Sequence, residues 1–455
     1  MHNALAIDVF AGGLAVGVRK HFNVVAHFEH SDYGSEVVKL NHPETPIHNH
    51  FAKWQRAPRY PGQQARTRFI CANPPCAPFS SASVGRSTPW HQDPRLQMFQ
   101  DSVDLLPEIE PDVMAIESVT NAWQVAPEFG KSLAKQAASH GYATTVLLHN
   151  AAWLGVPQHR KRLFYVFHKI AVAWEPPDFT KEITVRQAWK GLKIPASSKK
   201  TWPVEVSAAY REITAQTLPG ETCAKAFNRM NPNPELNERG QVRGRPSFLA
   251  RKLHYDRPSP VVLGEQKMIH PGENRVLYPE ELAALVGFPR DYKWPTEVNL
   301  SKINLSKIAL MMSQGVSPLV GEWLAAGVAQ SIDRGRRLNA PAFGVLDYRT
   351  AGGGYQVLDD NPEAYDGPDM RYKAPPEDDM PWDEAKVSKP RSTPVAPRQP
   401  RQETGSGALI REMLLEGKKT PEQIVAEIHK KFPGRKTSTK DVAWNKGRLR
   451  KEGKI

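Results

Sequence analysis

Six short apolar runs alternating with helix-like stretches constrain this chain more than any other feature. Residues 4–9, 24–28, 68–72, 113–116, 143–148 and 163–167 read as strands, with helical spacers such as 96–106 and 129–140. That rhythm predicts an α/β fold with a doubly wound, mostly parallel sheet. Ligands of such sheets bind just beyond the carboxyl ends of the strands. A turn with Gly12 and Gly13 follows the first run, Glu29 ends the second, Asn73 to Cys76 the third and Glu117 the fourth. The four features are expected to meet in one cleft.

The first run, its turn and the apolar residues 14–18 make a strand, glycine turn and helix start, which lets backbone approach a ligand and presents helix N-terminal amides to it. Glu29 stands 17 residues after Gly12, near the about 20 at which a carboxylate meets a ribose hydroxyl. Around Cys76 the chain reads Asn73-Pro74-Pro75-Cys76-Ala77-Pro78-Phe79-Ser80. The prolines fix their own φ and push their predecessors toward extended backbone, so the thiol sits on a rigid turn, as a nucleophile requires. A small buried hydrophobe is the other common use of a free cysteine. Glu117 is a candidate acid or a solvated loop residue. Arg160 and Arg162 alternate onto one face of a strand, where paired guanidiniums suit a base oxygen or phosphate, or face water.

With 455 residues, 40% of them hydrophobic, there is room for two or three domains. No apolar run of about 18 residues exists and no charged leader precedes the first strand, so the expectation is a cytoplasmic protein without a membrane span. Three cysteines, Cys71, Cys76 and Cys223, suit a reducing compartment. A net charge of +13 points to a polyanion, most simply nucleic acid. The histidines before Phe51 lack the paired spacing of a zinc site, so no metal is expected.

Residues 179–254 lose the rhythm and are aromatic, irregular and basic, with Arg239, Arg243 and Arg245 in one loop. They read as a small domain meeting nucleic acid, or as an insertion neutral to substrate. Helices are predicted again over 277–286, opened by Pro279, and over 316–329. Residues 338–404, rich in proline and glycine, read as a partly disordered linker. From residue 405 onward thirteen Lys or Arg face six Asp or Glu. Three short helices there, one capped at Thr420-Pro421 and the last near Thr439, fit a helix-turn-helix or winged-helix DNA binder, or a basic bundle for protein contacts.

Taken in order, these motifs resemble those of the C5-cytosine DNA methyltransferases over nearly all of residues 4–330. Pro74-Pro75-Cys76-Ala77-Pro78-Phe79-Ser80 is similar to that family's nucleophile motif, Asp93-Pro94-Arg95 to Asp-x-Arg, and Glu117-Ser118-Val119 to Glu-Asn-Val. Gly155-Val156-Pro157-Gln158 with Arg160 and Arg162 resembles Gly-Val-Pro-Gln-x-Arg-x-Arg. The block Asp256 to Ser259, His270-Pro271, Arg275 and Gly287-Phe288-Pro289 resembles the one that closes the target recognition domain. The departures are specific. The first motif, Phe10-Ala11-Gly12-Gly13, is about one residue short. Asn73 stands where glycine is usual, Ala77 for glutamine and Ser118 for asparagine, and the late Gly-Asn-x-Val-Pro motif survives only as Ser313-Gln314-Gly315-Val316-Ser317-Pro318.

The resemblance implies a Rossmann-like, S-adenosylmethionine-dependent methyltransferase fold with an inserted target recognition domain and a small C-terminal α-helical domain. It implies methyl transfer to C5 of a flipped-out cytosine in double-stranded DNA, with Cys76 as nucleophile, Glu117 at N3, and Arg162 and Arg160 on the base. Asp8, Phe10, Gly12, Gly13, Glu29, Pro75 and Gln314 fall on cofactor-binding positions. The expected domains are 1–178 and 256–337 catalytic, 179–255 recognition, 338–404 linker and 405–455 DNA-binding. A monomer on DNA is expected, in the bacterial cytoplasm or nucleoid or encoded by a phage, with a restriction endonuclease as cellular partner. RNA cytosine-5 methylation, or DNA-binding regulation with a degenerate cofactor site, are the rival readings.

Overall fold

A computed structural model describes the chain except for residues 8–9, 30, 49–65, 80–89, 203, 236–241, 243–249, 263–267, 295–304, 368–369, 371–405, 417–418, 432–437, 440–441, 444 and 447–455. It divides into two compact units, Met1–Lys389 and Pro390–Ile455.

The first unit contains β1 (His2–Ile7), β2 (Phe22–Phe28), β3 (Ile47–His48), β4 (Thr67–Ala72), β5 (Val113–Val119), β6 (Ala143–Asn150) and β7 (Lys161–His168). Then come β8 (Arg251–Lys252), β9 (Met268–Ile269), β10 (Phe343–Tyr348) and β11 (Tyr355–Asp359). Strands β8 and β9 pair with each other; the rest form one sheet in the order β11-β10-β6-β7-β5-β4-β1-β2-β3. Most neighbours in it are parallel, while β7 runs against both β5 and β6, and β11 against β10. All six strands expected from the apolar runs are present, in a sheet of the predicted class.

Strands buried on both faces should read as apolar runs, and β5 does so over residues 113–116 and β6 over residues 146–148. The period of two sorts their residues onto two cores. Ile7, Ile70, Ile116, Leu148, Tyr165 and Phe167 face the helices Leu96–Val103 and Pro127–Ala138. Ala6, Phe69, Cys71, Ala115, Leu147 and Phe164 face the helices Gly13–Val18 and Pro318–Arg334. Cys71 is one of these small hydrophobes. Each large side chain so buried contributes roughly 1.5–3 kcal/mol.

The linker expected over residues 338–404 does not begin at Leu338. Its first part supplies β10, which pairs in parallel with β6 from Thr144 to His149, and β11, which turns back on it. Glycine-rich residues 352–354 make the turn of this hairpin, which is why their composition resembled a linker. The later part, residues 371–404, lies outside the described residues, as does the basic loop around residues 239–245 apart from Val242.

Residues 185–312 form two further cores. Val185, Trp202, Val204 and Leu253 pack with Leu277, Leu282, Leu285, Phe288 and Met311, and with Ala11 of the glycine turn. Val206, Ile213, Cys223, Ala226, Phe227 and Ile269 form a smaller cluster of their own.

In the second unit the helices Ser406–Glu416 and Pro421–Lys431 pack through Ile410, Met413, Ile424 and Ile428, with Val442 from a third helical segment. Thr420 caps the second helix as expected, accepting from Gln423 N at 3.4 Å while Gln423 Oε1 accepts from Thr420 N at 2.9 Å. Trp444, Arg448, Arg450 and Lys451 lie outside the described residues.

Candidate active site

The third strand-end feature begins where β4 stops. Asn73 N donates to Ile7 O at 2.9 Å, extending the parallel ladder by one residue before the prolines break it. A single 3-10 turn over Ala77–Phe79 follows, closed by Phe79 N on Cys76 O at 3.1 Å. Phe79 anchors this turn in an aromatic cluster, its ring 5.0 Å from Phe129 and 6.0 Å from Phe99. Cys76 is therefore a half-buried thiol on a turn fixed at both ends, with Pro75 half-buried beside it.

Glu117 lies in β5, opposite Phe164 of β7, and Val119 lies opposite Arg162. Because β7 is antiparallel, its first residues arrive at the edge where the parallel strands end. Arg162 thereby shares a face with Glu117, its Nε 3.2 Å from Glu117 Oε1. Glu117 is 1% exposed, and neither carboxylate oxygen has a hydrogen-bond partner among the described residues. Arg160 is buried too; its Nη2 donates to Gly315 O at 3.1 Å.

Charge and burial couple these groups. Burial and then the Glu117 carboxylate push the Cys76 thiol above its usual range, while Arg162 and Arg160 oppose the shift. Burial likewise raises Glu117 against the pull of both arginines. A carboxyl held toward its neutral form can give or share a proton near neutral pH.

Two neighbours were not singled out by sequence reasoning. Asn150 Oδ1, at the end of β6, accepts from Arg160 N at 3.1 Å and Ala152 N at 3.3 Å, which fixes the start of β7. His149 lies opposite Arg162, stacked at 5.3 Å on Phe164. Burial and the two arginines press its pKa down to about 3, so the ring is neutral. Position beside a strand-end motif was the one signal for either.

On the cofactor side, the short first motif closes through Phe10, whose φ of 83° lies in the left-handed region that side chains seldom occupy. Glu29 supports that turn: Oε2 accepts from Phe10 N and Oε1 from Ser31 N at 2.7 Å. Gly12 caps the helix Gly13–Val18 at φ 66°. Gly13 serves packing as well as approach, since a Cβ there would stand 2.2 Å from Val316 O. Gln314 ends the helix Leu305–Gln314, with Oε1 buried and unpartnered among the described residues, as is Ser118 Oγ. Asp8 lies outside the described residues.

Basic side chains also line two clefts in the region after β7. One, of about 370 Å³, is bordered by His159, Arg251, Lys252, His254 and Arg257. The other, of about 400 Å³, shares Arg251 and Arg257 and adds Lys225. Among the described residues no group of His, Cys, Asp and Glu is placed to hold a metal ion, and no helix is long and apolar enough to cross a membrane.

The chain is 29% identical over 270 residues to the type II methyltransferase M1.HphI of Haemophilus parahaemolyticus, a match spanning 57% of this chain and 67% of the relative. It is 27% identical over 252 residues to M.NmeDI of Neisseria meningitidis serogroup C, spanning 50% and 57%. Its fold resembles that of the methyltransferase EhMeth of Entamoeba histolytica, with a TM-score of 0.51 at 13% identity over 73% of this chain and 99% of that one. The model of the C-5 cytosine-specific DNA methylases matches residues 6–328, so the chain belongs to that family of S-adenosylmethionine-dependent enzymes.

Proposed function

We propose that the protein methylates C5 of a flipped-out cytosine in double-stranded DNA through a covalent bond between Cys76 and C6. The observation that carries this reading is the half-buried thiol set among Glu117, Arg160 and Arg162, with a buried carboxylate whose oxygens are free of hydrogen bonds among the described residues. A lone pair of carboxylate oxygens so placed suits a ring nitrogen and its exocyclic amine.

Cytosine C5 is a weak nucleophile. Attack of the Cys76 thiolate on C6 forms an S–C bond and moves electron density toward N3 and C5. Glu117 holds a proton at N3, and Arg162, with Arg160 behind it, stabilises charge on the base O2. Loss of the C5 proton then lets the thiolate leave and restores the ring. S-adenosylmethionine, when bound, supplies the methyl group. Phe10, Gly12, Gly13, Glu29, Pro75 and Gln314 would hold it, and the buried, unpartnered Gln314 Oε1 fits a polar ligand there. Because C6 is covered inside a duplex, the base must be extruded, at a cost of a few kcal/mol.

The clefts around Arg251 and Arg257 fit the DNA backbone, and residues 179–255 act as the target recognition domain. Residues 405–455 form a second DNA-binding module. The enzyme works as a monomer on DNA in the bacterial cytoplasm or nucleoid, or as a phage product, with a restriction endonuclease as its cellular partner, a reading that its similarity to type II methyltransferases supports.

Incubation with labelled S-adenosylmethionine and mixed-sequence duplex DNA should label cytosine C5, and Cys76→Ser should abolish the label. Label retained in that variant sinks the mechanism. RNA labelled in preference to DNA would favour an RNA enzyme, and absence of S-adenosylmethionine binding by calorimetry a regulator.

A further inference from the structure

The short glycine turn after β1 is gripped on both sides by groups distant in sequence. Phe10, left-handed at φ 83°, gives its N–H to the buried Glu29 carboxylate. The next residue, Ala11, is fully buried, and its carbonyl accepts from the Tyr292 hydroxyl at 2.7 Å, across 281 residues of chain. A side-chain-bearing residue keeps such a backbone only where its surroundings over-determine it. Here Glu29 holds the N–H ahead of the Phe10–Ala11 pair and Tyr292 holds the carbonyl behind it.

Tyr292 is itself well fixed. Its ring stands 4.9 Å from Phe288 and 5.2 Å from Trp294. Phe288 in turn abuts the turn, since a Cβ on Gly13 would come within 3.0 Å of its ring. Lys293, the next residue, exchanges two hydrogen bonds with the Asn41 side chain: its N–H donates to Oδ1 at 2.8 Å and its carbonyl accepts from Nδ2 at 2.9 Å. Asn41 ends the helix Asp32–Asn41, which starts just beyond Glu29. The segment 288–294 is therefore tied both to the turn and to the helix that follows Glu29.

We propose that Tyr292 is a positioning residue for the cofactor: its hydroxyl keeps the turn in the left-handed form and thereby sets the affinity for S-adenosylmethionine. It acts through Ala11 and meets no reacting atom. Without the hydroxyl, a buried carbonyl loses this donor while Phe10 keeps its unfavourable backbone, and the turn is driven to relax. Phe10, Gly12 and Gly13 would shift with it. The inference rests on the methyltransferase reading above, which gives those three residues to the cofactor.

The test compares full-length wild type, Tyr292→Phe and Tyr142→Phe. Each variant keeps its ring and loses one buried bond from a hydroxyl to a carbonyl; that of Tyr142, to Pro111 O at 2.9 Å, belongs to the first core and not to the turn. Calorimetry with S-adenosylmethionine should show roughly tenfold weaker binding in Tyr292→Phe and wild-type affinity in Tyr142→Phe. Single-turnover methyl transfer at saturating cofactor should stay near wild type in both. Unchanged affinity in Tyr292→Phe overturns the proposal, and so does an equal loss in Tyr142→Phe, which would mark general loosening. If Tyr292→Phe fails to fold, Asn41→Ala decides: release of Lys293 should also weaken cofactor binding, and wild-type affinity there refutes the brace. A wild type that binds no S-adenosylmethionine overturns the functional reading instead. Amide exchange over residues 10–14 of the ligand-free chain then decides this inference, since it should be faster in Tyr292→Phe, and equal rates refute it.

Discussion

Arg162 Nε stands 3.2 Å from Glu117 Oε1 because β7 enters the sheet against the direction of β5. In an all-parallel sheet, the start of a strand lies at the edge opposite the ends of its neighbours. Reversal of one strand brings a guanidinium to a carboxylate that would otherwise be buried alone, at a cost of several kcal/mol.

That pairing governs the thiol. Glu117→Gln removes one of the two causes that raise Cys76, while Arg160 and Arg162 still favour the thiolate. The pH at which Cys76 is half-reactive should therefore move down, even as methyl transfer falls by about 10²–10⁴ through loss of the acid. Iodoacetamide alkylation of the Cys76 peptide, followed against pH by mass spectrometry, reads the shift. A move upward would contradict the arrangement.

Gly13→Ala should destabilise the first unit by about 1–3 kcal/mol, since the new Cβ meets a backbone oxygen that no rotamer can move aside. Gly354→Ala, with nothing within 4 Å, should be near neutral. Urea denaturation of the two variants makes the comparison.

Arg251 and Arg257 border both basic clefts. Alanine at either should weaken DNA binding equally for all sequences and lower the slope of log affinity against log salt by about one. Fluorescence anisotropy on two unrelated duplexes at several salt concentrations checks this; a sequence-dependent loss would assign the residue to base reading.

Thr420→Ala removes one half of a reciprocal cap in the second unit. The expected cost is about 1 kcal/mol, or roughly fivefold faster amide exchange in the helix Pro421–Lys431. Hydrogen-exchange mass spectrometry of the full chain isolates that helix; unchanged exchange would show that the core around Ile424 and Ile428 holds it alone.

Residues 113–116 and 143–148 were legible as strands because burial on both faces leaves them free of charged residues and rich in apolar and β-branched ones. Glu117 and Cys76 were legible because a parallel sheet sends its strand ends to one edge. What escaped was everything set by distant partners. β7 turns back antiparallel on β6, the strand before it, and also meets β5, more than 40 residues earlier. The left-handed backbone of Phe10 lies in the turn expected to be about one residue short, an expectation that implied a rebuilt loop but not its shape. Asn73 looked like a mere departure from pattern until Gln314, 241 residues on, was beside it. The hairpin of β10 and β11 was hidden by glycines whose composition does not distinguish a turn from a tether.

That hairpin decides where the chain can be shortened. β6 is buried along all eight of its residues, and β10 covers the edge that β7 leaves open. A stop at Arg337, where composition changes, would uncover a long apolar strand with a bare row of amides and carbonyls, the kind of edge that recruits other chains. A stop just after Met370, which packs on the first core, keeps β11 as the outer strand. The shorter protein should enter inclusion bodies and the longer one should not, although neither loses a residue of the cleft.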